Sequence, residues 1–515
     1  MTESRTKKVI RNTGTGITSR LILILLDFIV KTIFIKLLGE QYAGVSGLFT
    51  SILSALSLAE LGIGSAIAFA LYKPIAEKDY LYIAKYMNFY KKAYRLVAAF
   101  IFVVGMALIP FLGVLVKDVP DIKESITLIY VIYIFNSAVS YLLIYKSVLL
   151  TANQNSYKMA LIDIVMNIVK SVAQCLILLL TREFLAYLII GVSFTIIRNV
   201  IVSVVANKDF KELKQYAGEK LSKEERKRIL KDVGALSMYT ALSAVLHGTD
   251  DIIISAMLGT SLVGILYYYK MLKKSITMLL NQFFNAVTPS VGNLAVEGSG
   301  EAQYKVFRKY NFTVFWVTCF CSTSFTVLYI PFVRDIWLGE RFVLSMSIVL
   351  ALVLEFFMAN MTSVFSSFRN ANGLFVQGKW RPAVMAVINI ALSIILAKPW
   401  GMFGVLIATC ISRATTQLWY DPWLVYRRVF NRSVKEYFLK YAEFLLVTAG
   451  STAITYFIGN TFSFNNVYIN FIYLCVLCVV IPNGIMFIGY RKTNDFAELK
   501  KTILRFVKRR GNGNH

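Results

Sequence analysis

The sequence predicts an all-α polytopic membrane protein of about fourteen transmembrane helices, arranged as two pseudo-symmetric six-helix lobes plus two C-terminal helices. Three observations carry that expectation. Apolar stretches of ~20 residues, the length a bilayer demands, recur from end to end. They do so in a chain of 515 residues with 57% hydrophobic content and a mean hydropathy of +0.61, outside the range of soluble domains. A membrane hairpin near the N terminus recurs in the second half. Basic residues concentrate in alternate loops, as they do when a bilayer separates two compartments.

The hairpin runs from Arg11 to Pro74 and turns at Leu38-Gly39-Glu40-Gln41-Tyr42-Ala43-Gly44. Leu258-Gly259 with Gly264 repeats Leu38-Gly39 with Gly44 at one offset, 220 residues (259 − 39 and 264 − 44). A second echo pairs Asn167 of MNIVKS with Asn389 of INIALS, and the loops before them pair Ala152-Asn153 with Ala371-Asn372. The copies keep their order and orientation, which predicts parallel repeats about an axis along the membrane normal.

Taken in order, a first lobe over 1–206 holds spans near Thr15–Leu37, Ala43–Tyr72, Leu96–Val116, Ile126–Tyr145, Met159–Thr181 and Phe184–Ala206. Lys73–Arg95 mixes Tyr and Phe with Lys and fits an interfacial helix or a polar loop equally; Pro74 suits a helix start and disfavours an interior. A basic cytoplasmic connector over 207–232 follows, with Ser222-x-x-Glu225 matching a helix N-terminal capping box. The second lobe, 233–426, holds spans near Val233–Leu258, Leu262–Phe284, Phe312–Phe332, Val343–Met361, Ala383–Ala397 and Met402–Trp419. Pro289 should kink or end the second of these, and the span at Ala383 is short unless it reaches back to Trp380. Residues 427–490 add two transmembrane helices, Tyr441–Ile458 and Val467–Tyr490, before a basic tail over 491–515.

The formal net charge of +26 is a topology signal. Most Lys and Arg lie in alternate loops and at the termini, placing both termini in the cytoplasm and favouring anionic membrane lipids as neighbours. No nucleic-acid motif accompanies the charge. Met1–Lys8 is polar and leads into an apolar run too long for a cleavable signal peptide. The six cysteines, Cys475-x-x-Cys478 included, sit in apolar spans and read as packing residues. No phosphate-binding loop or paired metal-ligand pattern occurs, and the external loops are short. These features predict a protein that is not an enzyme and needs no cofactor.

Charges inside the spans are the functional signal. Each costs about 2.5–3.5 kcal/mol at a helix centre. Arg20, Asp27 and Lys31 share one face of the first span; Asp163, Asn167, Lys170 and Gln174 share one face of the fifth; Lys270, Lys274, Asn281 and Asn285 share one of the eighth. Lys273, Arg198 and Arg413 are further charges, and Lys36 can snorkel to an interface. One reading is a hydrated cationic cavity for a large anion, with Arg20, Lys31, Lys270, Lys274 and Lys170 as binding residues. The other is ion pairing between helices, such as Asp27 with Lys31 or Asp250 and Asp251 with Lys270. Glu60 and Glu355 fit either a paired core acid or a proton sensor. His247 fits a polar core position better than a proton relay.

Arg11-Asn12, Leu38-Gly39-x-x-Tyr42-x-Gly44, Gly47-Leu48-Phe49, Ser57-Leu58-Ala59-Glu60-Leu61-Gly62-Ile63-Gly64 and Leu71-Tyr72-Lys73-Pro74 resemble the Wzx-type lipid-linked oligosaccharide flippases. These belong to the multidrug/oligosaccharidyl-lipid/polysaccharide exporter (MOP) superfamily, with the MATE drug exporters and the lipid II flippase MurJ. The resemblance implies two six-helix lobes around a central cavity and alternating access in a bacterial cytoplasmic (inner) membrane. It implies a cargo of undecaprenyl-pyrophosphate-linked oligosaccharide repeat units for capsule, O-antigen or exopolysaccharide synthesis, with a polymerase and other assembly proteins as partners. Cavity cations meet the pyrophosphate in that family; Arg20, Lys31, Lys270 and Lys274 match here. Arg20 and Asp27 stand two turns apart, whereas MurJ-like proteins place an arginine beside an acid. A first-helix carboxylate couples an ion in MATE proteins, which points to Asp27, and Glu60, Asp250 and Asp251 are further acids for coupling to an H⁺ or Na⁺ gradient or the membrane potential. A MATE-like drug/cation antiporter is the alternative. A membrane polysaccharide polymerase or glycosyltransferase is a second, but it needs a large external loop or a catalytic domain.

Overall fold

The computed structural model describes residues 5–57, 63–116, 121–153, 155–216, 218–227, 248–297, 300–372, 374, 377–378 and 380–501. Regular structure among them is helical throughout. Two compact units divide between Tyr267 and Tyr268.

The first unit holds α1 (Arg5–Leu38), α2 (Glu40–Leu56), α3 (Ile63–Glu77), α4 (Tyr80–Ala107), the short α5 (Leu112–Leu115), α6 (Ile126–Ile144), α7 (Ser147–Ala152), α8 (Ser156–Thr181), α9 (Phe184–Asp209), α10 over 248–258, and the first turns of α11 (Thr260–Glu297). α1 packs along α8, and α6 joins α4 to α9. The second unit holds the rest of α11 with α12 (Gly300–Pro331), α13 (Met346–Ala371), α14 (Arg381–Thr415), α15 (Gln417–Val425), α16 (Lys435–Thr461) and α17 (Val467–Tyr490). There α12 is the hub for α13, α16 and α17, through an aromatic core in which Phe315 and Phe444 stack with centroids 3.6 Å apart.

Among the described residues, seven helices are long and apolar enough to cross a membrane, or eight if α4 and its continuation over 109–115, bent by 41°, form one span. α1, at 34 residues, has the length but carries Arg20, Asp27, Lys31 and Lys36. Leu161, Val165, Val172, Leu176 and Leu180 leave one side of α8 open, and Val476, Val480 and Ile488 do so on α17. Apolar faces of this extent, on helices long enough to cross a bilayer, suit a hydrocarbon surround. The chain is a multi-pass membrane protein.

Local chemistry sets the helix ends. The repeated hairpin turns on two left-handed glycines, Gly39 at φ +88° and Gly259 at φ +112°, a region an L side chain enters only with strain. The paired Ala-Asn motifs both close helices: Asn153 N–H donates to the Leu149 carbonyl at 3.0 Å and Asn372 N–H to that of Phe368 at 3.1 Å. Asn466 Oδ1 accepts from the N–H groups of Tyr468 and Ile469, starting α17 where the sequence placed it. The Ser222–Glu225 capping box forms in both directions: Ser222 N–H donates to Glu225 Oε2 at 2.7 Å and Glu225 N–H to Ser222 Oγ at 3.2 Å.

Other expectations change. Lys73–Arg95 is neither a loop nor a separate surface helix. α3 carries Pro74 inside it to Glu77, the chain turns at Lys78 (φ +56°), and Asp79 caps α4 by accepting from Tyr82 N–H at 3.0 Å. α4 then runs through Arg95 into the third span, because Ile83, Met87, Tyr90 and Tyr94 bury one continuous stripe. α11 passes Pro289 and ends at Glu297. The span expected from Ala383 does extend back to Arg381, and its partner follows a break at Gly401 (φ 56°, ψ −138°). Cys478 packs against Val327 and Leu474. Glu60 and His247, and most of the span expected over 233–258, lie outside the described residues.

Candidate functional site

In the first unit the charged face of α1 meets α8, α6 and α9. Asp27 and Lys31 stand one helical turn apart. Lys31, half-buried, has Asp27, Tyr133 of α6, Tyr187 of α9 and Tyr267 of α11 as electrostatic neighbours. Its Nζ lies 5.3 Å from the Tyr267 ring centroid and 5.6 Å from that of Phe34, within cation–π range. Phe34 is held by Tyr187 at 5.1 Å and Phe184 at 5.7 Å. Lys170 of α8 reaches the same group, with Asp27 and Lys31 as its charged neighbours. Two lysines, one aspartate and a wall of aromatic rings therefore converge. Arg20 is exposed, two turns nearer the start of α1.

The polar stripe of α8 divides in two. At one end Asp163 Oδ1 accepts from Arg198 Nε of α9 at 2.8 Å, and Arg198 Nη1 donates to Asn199 at 2.9 Å. That end is an ion pair between helices, so Arg198 is a structural charge. At the other end Gln174 Nε2 donates to the Tyr187 carbonyl at 3.3 Å and orients the segment that carries that ring. Lys170 lies between them, with Asp27 and Lys31 of α1 as its charged neighbours.

Asp250 and Asp251 lie on α10. Asp250 is buried, and Asp251 Oδ2 accepts from Ser51 Oγ of α2 at 2.8 Å.

In the second unit Lys270 is half-buried and Lys274 is exposed on α11. Between them Lys273 pairs with Glu355 of α13, whose other oxygen accepts from Arg413 of α14 at 3.0 Å. Arg413 also donates to Gln417 at 2.8 Å. Glu355 is thus a paired acid bridging two cations. Asp421 of α15, fully buried, takes Arg369 at 3.1 Å and Arg381 at 3.3 Å. Helical spacing flagged Lys270 and Lys274 but not these partners, because periodicity names a face and not its neighbour. The Tyr267 contact did leave a trace: Tyr267 follows Gly47 by the repeat offset (267 − 47 = 220), and its ring packs 3.6 Å from where a Gly47 Cβ would stand.

No family model matches the sequence, and no curated protein matches it. Solved structures do match the fold. A lipid II flippase MurJ in an inward closed conformation aligns with TM-score 0.66 at 15% identity, over 94% of this chain and 99% of that one. An inward-facing multidrug resistance MATE family transporter of the MOP superfamily aligns with TM-score 0.63 at 13% identity, over 79% and 94%. A MOP superfamily transporter from Pyrococcus furiosus Vc1, described as having a binding pocket of reverse polarity, aligns with TM-score 0.53 at 14% identity, over 82% and 95%. The chain has the fold these transporters share.

Proposed function

We propose that the protein is a flippase, not an enzyme, that carries undecaprenyl-pyrophosphate-linked oligosaccharide repeat units outward across the bacterial cytoplasmic membrane by alternating access. The supporting observation is the convergence of Lys31 and Lys170 beside Tyr133, Tyr187 and Tyr267 in a fold like that of MurJ. A lysine is a compact charge suited to a phosphate oxygen. Aromatic faces suit the stacking of sugar rings, and a half-buried site makes each charge count for more than it would in water. Arg20, Lys270 and Lys274 complete the proposed set of phosphate-contacting cations. Asp27, Glu60, Asp250 and Asp251 are the acids available for coupling to H⁺, Na⁺ or voltage. Both lobes, 1–206 and 233–426, serve the cycle. Residues 427–490 lie beside lipid, both termini face the cytoplasm, and a polymerase would receive the product.

A cation antiporter of the same fold is the second reading, and Asp27 favours it. Lys31 and Lys170 within electrostatic range of that acid weigh against a cationic cargo.

The test is reconstitution of the intact chain in vesicles with a fluorescent undecaprenyl-pyrophosphate oligosaccharide, with pH, Na⁺ and voltage varied in turn. Outward movement that Lys31→Ala and Lys170→Ala each slow by roughly tenfold or more supports the reading. Movement of a cationic dye and none of the pyrophosphate lipid sinks it.

A further inference from the structure

A cavity of about 320 Å³ opens in the second unit among the first turns of α12, the first turns of α16 and the segment after α17, within the ~300–1,000 Å³ range of small-ligand sites. Asn311 and Tyr437, both buried, are among its lining residues.

The lining carries both signs of charge. Arg308 and Lys440 are its cations; Glu436, Glu443 and Asp495 are its acids. Arg308 pairs with Asp495 at 2.9 Å, and Glu443 takes Lys440 at 3.0 Å and the Tyr490 hydroxyl at 2.6 Å. Tyr304, Tyr426 and Phe444 add aromatic faces, and Lys440 Nζ already lies 5.3 Å from the Phe444 centroid. An anion alone would meet three carboxylates, and a cation alone would meet Arg308 and Lys440. A zwitterion meets both needs, its ammonium against carboxylate and ring faces and its phosphate against guanidinium and ammonium.

The cavity also sits at one end of its helices, where the chain is basic: Arg427, Arg428 and Arg432 precede α16, and Arg491 and Lys492 follow α17. By charge this is the cytoplasmic end, at headgroup depth. We infer that this cavity binds an ammonium–phosphate zwitterion of the phosphoethanolamine class, either as a phospholipid headgroup or as the free compound. It is independent of the lysine cluster on α1 and α8.

The test uses the full purified chain and native mass spectrometry with phosphatidylethanolamine and phosphatidylglycerol of identical acyl chains, with and without O-phosphoethanolamine as competitor. The wild type is expected to retain the ethanolamine lipid roughly tenfold better. Glu443→Gln and Arg308→Gln, each checked for a monodisperse elution profile, are expected to bring the ratio near one. Displacement by O-phosphoethanolamine identifies the free headgroup as sufficient, and its failure to displace identifies the membrane lipid. Equal retention of the two lipids by the wild type overturns the proposal, as does an unchanged ratio in both variants.

Discussion

Gly44 and Gly264 pack in a reciprocal crossing. A Cβ on Gly44 would stand 2.2 Å from the Thr260 carbonyl oxygen, and one on Gly264 would stand 2.3 Å from the Glu40 carbonyl oxygen. Glu40 and Thr260 are themselves related by the 220-residue offset that relates the two glycines (260 − 40 and 264 − 44). The repeat seen along the chain is therefore also a local two-fold relation in space, where α2 crosses the start of α11 with backbone against backbone. Because the obstacle is main chain, no side-chain rotation relieves it. Gly44→Ala and Gly264→Ala should each destabilise the protein by about 1–3 kcal/mol, read as a lower midpoint in a detergent thermal-stability assay. The double variant should cost less than the sum, since the first substitution already parts the helices. Strict additivity would mean the two contacts are separate.

Lys31 and Lys36 lie on one helix with opposite consequences. Lys31 sits over the rings of Tyr267 and Phe34, while Lys36 is exposed in the last turn of α1. Lys31→Ala should slow transport by roughly tenfold or more, and Lys36→Ala should stay within about twofold. Equal losses in the vesicle assay would point to total charge and not to the cluster.

Asp421 neutralises two arginines without contact with solvent: its side chain is 0% exposed, and those of Arg369 and Arg381 are 3% and 8%. Removing the shared acid takes a buried carboxylate from both cations. Asp421→Ala should cost about 3–5 kcal/mol and appear as a collapse of the folded fraction on size-exclusion chromatography. Asp421→Ala with Arg369→Met and Arg381→Met should recover part of that loss, since the buried cations leave with the acid.

Glu225 lies outside the spans, and the Ser222 N–H holds its carboxyl below the ordinary value of 4.5. A depressed folded value stabilises the cap above the unfolded value, and the contribution fades as pH falls through the folded one. The carboxylate is almost wholly solvated, so the effect is local. Proteolytic nicking of the connector should rise several-fold in Glu225→Ala at neutral pH. An acid-stable protease should find the wild-type connector as open as the variant's once Glu225 is protonated. A variant no more sensitive than wild type at neutral pH would count against a structural role for the cap.

The sequence by itself determined what depends on neighbours in the chain. Helix length, the left-handed glycine turns at Gly39 and Gly259, the Ser222–Glu225 cap and the start of α17 after Asn466 are local, set by backbone sterics and by hydrogen bonds a few residues long. Helical spacing also assigned Arg20, Asp27 and Lys31 to one face of α1. Tertiary structure alone decided which helix that face meets. It separated Asp163, held by Arg198, from Lys170, which neighbours Asp27 and Lys31, though both lie on one stripe. It joined Glu355 to Lys273 and Arg413, made Asp421 the shared partner of two arginines, and divided the 73–95 stretch between the end of α3 and the start of α4. The physical reason is range: a hydrogen bond within a helix reaches about one turn, whereas the energy of a buried charge depends on whatever a distant segment brings within a few ångströms of it.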